Sequence, residues 1–179
     1  ADSPLPLEDL DALPAGALLH KRALILRPPT LIGSLLGSAN SVLGTPPKPD
    51  LANRTVNGDV FDAIILANGM AVQSALPWLA LTAKLGQVEH VHAAAEAPPS
   101  ALASGHYAIA DGLDRLWGAT FETHDGPPET KPEAQATNAA ALSALSPWWL
   151  PQIRGAGPTS RAGIRATTPD RLPLIGAVP

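Results

Sequence analysis

SRAGIRATTPDRLPLIGAVP, Ser160 to Pro179, reads as a strand, a tight turn at Thr168-Pro169-Asp170-Arg171 and a second strand. Strand alternation places Ile164 and Ala166 on one face and Gly163, Arg165 and Thr167 on the other. The neighbours of Arg165 on that face are too small to cover it. Its guanidinium therefore has room for a planar anion, and a carboxylate matches the fork bidentately. A charge-assisted bond of this kind contributes about 1.5–3 kcal/mol. The competing reading pairs Arg165 with an acid of the same chain.

The rest of the chain suits a mixed fold rather than a helical bundle. Its 179 residues can bury a core, and 20 prolines with 15 glycines favour short strands and irregular connections. No cysteine is present, which excludes disulfides, thiolate zinc sites and thiol nucleophiles. That composition and the lack of a signal-like segment lead to the expectation of a cytoplasmic protein. No apolar run is long enough to span a bilayer, so no membrane partner is expected. The net charge of −4 argues against a nucleic-acid clamp acting alone. Acids outnumber bases between Glu89 and Glu133, whereas Arg154, Arg161, Arg165 and Arg171 face only Asp170 beyond Pro151. The basic end is where an anionic ligand is sought, against the plainer reading of a solvated hairpin.

Along the chain, residues 1–16 form a proline-rich acidic arm, and Ala17 to Arg27 has the aliphatic content of a strand or hairpin. Ile32, Leu35, Leu36 and Ala39 predict a helix over Thr30 to Asn40. Asn57-Gly58 marks a turn. FDAIIL, Phe61 to Leu66, has the apolar continuity of a strand buried on both faces. Met70 to Leu81 predicts a short helix interrupted at Pro77. Lys84 to Ala93 (KLGQVEHVHA) has strand length, but Leu85, Val88 and Val91 share a face only if Gly86 marks a bulge. His106–Ala110 and Arg115–Thr123 read as a hairpin across Asp111-Gly112. Thr130-Lys131-Pro132-Glu133 has the pattern of a capping box, opening a helix that stops at Pro147.

Few motifs carry chemistry. No G-x-G-x-x-G follows a strand and no P-loop exists, so the chain offers no dinucleotide or phosphate cradle of its own. His90 and His92 share a strand face and could ligate a metal, but no third ligand is evident and no metal site is expected. Asp111 and Asp114 flank a turn and read as turn chemistry. Trp148-Trp149 reads as core packing beside the helix end, with an exposed protein contact as the alternative.

Three stretches together carry a resemblance: FDAIILANG, KLGQVEHV and AGIRATTPDRLPLIG, in that order, with HYAIADG and LWGATFE between the last two. In this combination the chain resembles the FAD-dependent oxidoreductases of the D-amino-acid oxidase and glycine oxidase type. Within them it is most similar to the branch that processes 5-carboxymethylaminomethyl-uridine at the tRNA wobble position. The resemblance covers roughly Gly16 to Pro179 and is weaker between Gly33 and Val60.

That resemblance implies an α/β (α+β) fold with a mixed, mainly antiparallel substrate-domain sheet over residues 17–179. Remnants of a Rossmann-like FAD domain are expected at about 58–69 and 170–179. It implies that Ala67, Asn68 and Gly69 lie beside the flavin, and that Gly86 and Gln87 open the strand leading from cofactor to substrate. Arg165 corresponds to the arginine that holds a substrate carboxylate, and Tyr107 to a tyrosine of the substrate sheet. The implied partner is tRNA or a small amino acid, and the implied cofactor is FAD. The glycine-rich segment that cradles the FAD pyrophosphate is not in this sequence. The expectation is a fragment that binds FAD poorly and is inactive alone. A non-catalytic β-rich interaction domain is the alternative from another class.

Overall fold

The computed structural model describes residues 24–178 apart from 43, 46, 146–148, 150–152, 154 and 156. The expected arm at 1–16 and most of the 17–27 strand lie outside them. Leu24–Arg27, which are described, form no regular structure. The described chain divides into two compact units. One holds Leu85–Ile164 with the stretch ending at Arg27, and the other holds Pro28–Lys84 with the residues from Arg165 onward.

The first unit is built on a long strand β3, Thr82–Ser104, whose pairing partners are β4 (His106–Gly118), β5 (Glu122–Thr123) and β6 (Thr159–Thr167). The fold is mixed α/β with few helices, and β3 and β4 are antiparallel. The hairpin therefore turns at Gly105 (φ 74°), not across Asp111-Gly112. The reason lies in register. Val88–His92 pair regularly with Gly118–Asp114, the register shifts on either side of the pair Ala97↔Gly112, and regular pairing resumes from Ser100↔Ala110 to Ser104↔His106. Gly112 (φ 59°), paired with Ala97, and Pro98-Pro99 fall in that irregular stretch, where a strand accommodates residues unsuited to a regular ladder. Chain signals that read as a turn thus mark an irregularity inside one hairpin.

The inner face of β3 decides the question left open at Gly86. Leu85, Gln87, Glu89, Val91 and Ala93 are all buried, in strict alternation. Val88 lies on the opposite, half-buried face, so no bulge at Gly86 is needed. Gly86 has a different role: a Cβ there would stand 3.1 Å from the Thr120 carbonyl oxygen. Helix α2, Pro132–Leu145, forms where the sequence pattern predicts a helix and lies on β4, presenting Ala134, Asn138 and Leu142 as its buried residues. Val91, Ala108, Ala110, Trp117, Leu142 and Trp149 form the core cluster. Trp149 is thus core, and Trp148 lies outside the described residues.

In the second unit, α1 runs Pro28–Leu36, with proline at the first turn and Gly37 (φ 52°) just past the end. β1 (Thr55–Val56) and β2 (Asp59–Val60) close a small hairpin over Asn57-Gly58, both at positive φ. A 3-10 turn spans Gly69–Ser74 within the predicted helical stretch. Phe61–Leu66 is not a strand, and Ile65 is 88% exposed. A strand of that composition needs neighbours on both edges to satisfy its backbone, and among the described residues none lies beside it. Residues 171–178 likewise form no second strand, although the turn before them closes through Arg171 N–H to Thr168 O at 3.1 Å. Both stretches expected to be cofactor-domain remnants fall in this unit.

Leu142 is 2% exposed and central to the core. Leu142→Ala is expected to cost about 2–5 kcal/mol in urea denaturation of the chain, the range for a leucine cavity.

Candidate functional site

Arg165 sits on β6, where exposure alternates residue by residue: Arg161, Gly163 and Arg165 are exposed, Ala162, Ile164 and Ala166 half-buried. The facing inferred from alternation is therefore present, although Thr167 at the strand end is half-buried. A Cβ built at Gly163 would meet nothing within 4 Å, so the space beside Arg165 on its own strand is open. β6 joins the sheet that also contains β4, which carries Tyr107 and Trp117. Tyr107 is half-buried in the first unit, whereas Arg165 is assigned to the second.

Ala67, Asn68 and Gly69 are exposed in an irregular segment that enters the 3-10 turn. Gly69 has φ 59° with open space around its Cβ position, so the backbone conformation and not crowding favours glycine. Gly86 and Gln87 are placed differently. Gln87 is 1% exposed, and its side chain is committed to the protein interior.

That commitment defines a buried polar network under α2. The Gln87 amide accepts the Lys131 N–H at 2.7 Å and returns a bond to the Lys131 carbonyl at 3.1 Å. α2 begins at Pro132, directly after Lys131, so Gln87 satisfies a backbone N–H at the helix start that lies outside the Thr130–Glu133 pair of the predicted capping box. Gln87 Nε2 also donates to Glu89 Oε1 at 2.9 Å. Asn138 Nδ2 donates to the Gln87 carbonyl at 2.8 Å and to Glu89 Oε1 at 3.0 Å, and Ser160 Oγ donates to Glu89 Oε2. Glu89 is fully buried yet accepts three hydrogen bonds from three different elements. Sequence reading missed this network because glutamine and glutamate at alternate strand positions look like an outward face. The signal available was their shared parity with Leu85 and Val91.

A second cluster forms on the outer face. His90 Nε2 and His92 Nδ1 lie 2.9 and 3.1 Å from the same oxygen, Asp114 Oδ1. Asp114 is the register partner of His92, so strand pairing supplies the third group that the histidine spacing alone does not reveal. Arg27 reaches the outer oxygen of Asp114 at 3.1 Å and Asp111 Oδ2 at 2.7 Å. The hydrogen bond from His90, with Arg27 and His92 nearby, holds the Asp114 carboxyl below its ordinary range against the opposing effect of burial. Asp111 and Asp114 thus do more than shape a turn. Arg115, by contrast, turns inward to the carbonyls of Gly112 and Asp114 at 2.7 and 3.0 Å, and burial lowers its guanidinium pKa.

This sheet architecture matches that of a solved oxidoreductase. The structure resembles glycine oxidase from Geobacillus kaustophilus with a TM-score of 0.53 at 23% identity, over 67% of this chain and 34% of that one. Residues 12–179 match the family of FAD dependent oxidoreductases, DAO, and the chain belongs to it. Among curated relatives, the tRNA 5-methylaminomethyl-2-thiouridine biosynthesis bifunctional protein MnmC of Aromatoleum aromaticum is 35% identical over 119 residues, 64% of this chain and 19% of the relative. The MnmC of a Polaromonas species is 30% identical over 199 residues, 90% of this chain and 31% of the relative. The chain therefore spans between about a fifth and a third of the length of these relatives. Among the described residues, no helix is long and apolar enough to cross a membrane.

Gln87→Leu removes the bonds to Lys131 and one of the three to Glu89. Each group left unsatisfied should cost about 1–3 kcal/mol in chemical denaturation. Amide hydrogen exchange in the first turn of α2 should accelerate in this variant beyond that of the helix centre. Uniform exchange along α2 would show that Gln87 does not hold the helix start.

Proposed function

We infer that this chain supplies the substrate-recognition part of an FAD-dependent oxidoreductase that removes the carboxymethyl group of 5-carboxymethylaminomethyl-uridine at the tRNA wobble position. The observation that carries the reading is Arg165, an exposed arginine with an open glycine beside it on the same strand face. The substrate side chain is an N-substituted glycine whose carboxylate matches a guanidinium fork. The MnmC relatives support tRNA as its source.

In this reading Arg165 anchors the carboxylate and fixes the position of the methylene between it and the amine. The chemistry FAD supplies when bound is acceptance of a hydride from that methylene, after which water cleaves the imine to glyoxylate and a primary amine. The residues present fit the flavin only in part. The exposed Ala67-Asn68-Gly69 segment offers backbone for an approaching ring, but the sequence has no glycine-rich loop for the pyrophosphate. Gln87 acts through position, holding α2 against β3, in which Gly86 is the fifth residue and not the first. Positioning is most of what such a reaction asks of the protein. Exposed Arg161 on β6 and exposed Arg171 after it are the proposed contacts to phosphate in an otherwise acidic chain.

The test is Arg165→Ala in an FAD-loaded protein carrying this chain. KM for the carboxymethylamino substrate should rise about tenfold or more, on the order of 1.4 kcal/mol. An unchanged KM removes Arg165 from the mechanism. A free amino acid such as glycine or sarcosine carries the same carboxylate, so salt separates the two substrates. Binding of tRNA should weaken steeply as salt rises, and binding of an amino acid should not.

A further inference from the structure

The outer face of the β3–β4 hairpin carries a group that the oxidoreductase reading does not use. We propose that His90, His92 and Asp114 form a binding site for a zinc-class divalent transition metal. The three ligand atoms, His90 Nε2, His92 Nδ1 and Asp114 Oδ1, all lie within 4.8 Å of one another. In a tetrahedral site with metal–ligand bonds of about 2.0–2.1 Å, neighbouring ligand atoms stand roughly 3.3 Å apart. The two nitrogen–oxygen gaps here are 2.9 and 3.1 Å and the two nitrogens lie within 4.8 Å of each other, so rotation of the imidazoles about Asp114 Oδ1 admits the ion.

The backbone holds this arrangement. His90 and His92 are two apart on β3 and so project from one face, and Asp114 stands directly opposite His92 on β4. This is the last regular pair before the register lapses, so a metal here would tie the two strands where their ladder ends. Arg27 occupies the other oxygen of Asp114, which turns Oδ1 toward the imidazoles, the role that outer hydrogen-bond partners play for ligating carboxylates. The His92 side chain is 72% exposed, so the ion has an entry path and a corner of the tetrahedron open to solvent. Two imidazoles and one carboxylate favour zinc, nickel or copper over magnesium or calcium, which prefer all-oxygen shells. None of this depends on the role of Arg165.

The experiment is titration of the purified chain with Co2+ alone, followed by visible ligand-field absorption and calorimetry, and then with Zn2+ in competition. Expected are one equivalent of Co2+, an absorption band of low coordination number, and its displacement by Zn2+. His92→Ala, at an exposed position that folding does not need, should weaken binding at least tenfold, and His90→Ala likewise. His124→Ala, in the loop after β5, should bind as the wild type does. No ligand-field band, or a His92→Ala protein that binds Co2+ as tightly as wild type, overturns the site. A band lost in His124→Ala but kept in His92→Ala overturns it equally.

Discussion

Glu89 has no solvent to stabilise its charge, and the organisation of the first unit follows from how that cost is met. A buried carboxylate is tolerated only when its oxygens are hydrogen-bonded in the protein. Here one oxygen takes the amides of Gln87 and Asn138, and the other takes the hydroxyl of Ser160. These donors come from β3 itself, α2 and β6. Sliding any one of them by a residue would strand the charge, so the network acts on specificity more than on net stability. Asn138 shows the same demand from the other side: its Nδ2 serves two acceptors, while its Oδ1 has no hydrogen-bond partner among the described residues. The amide is placed for what Glu89 and Gln87 need.

This arrangement also explains which parts of the fold could be read in advance. The existence and end of α2 were legible because small and aliphatic residues recur at helical spacing and Pro147 follows. Its first turn was not, because the partner of the Lys131 N–H lies on a strand distant in sequence. The inner face of β3 was left open for the same reason: an apolar count ranks Val88 above Gln87 and Glu89, and only long-range donors make those two the buried ones. The stretch 94–104 gave no strand signal at all. Alanine, proline and serine have little preference for a sheet, and the stretch is held there by the pairing of Ala97 and of Ser100–Ser104 with β4. Phe61–Leu66 failed in the opposite sense, being strand-like in composition with no adjacent strand among the described residues to complete it.

The candidate sites divide along the same line. Arg165 was accessible to local reasoning because its exposure depends on period-two alternation and on the small size of Gly163. The His90–His92 pair was half accessible: their shared face is local, but Asp114 joins them through register, which a single strand does not encode. Asp111 and Asp114 looked like turn residues because Asp-Gly normally is one. Their ion pairs with Arg27 appear only once β4 is seen to run straight through Gly112.

The family phrases in this chain are not all evidence of the same thing. Gly86 and Gln87 belong to one of the most recognisable of them, yet local packing accounts for both: the glycine admits the Thr120 carbonyl, and the glutamine holds the start of α2. A residue explained so completely by its own fold says that the fold is shared, and says little about the ligand. Arg165 is the contrary case. It is exposed and lies beside an open glycine on β6, so its head is reachable from outside the fold. The functional argument therefore belongs with the accessible residue, and the architectural argument with the pair that packing explains.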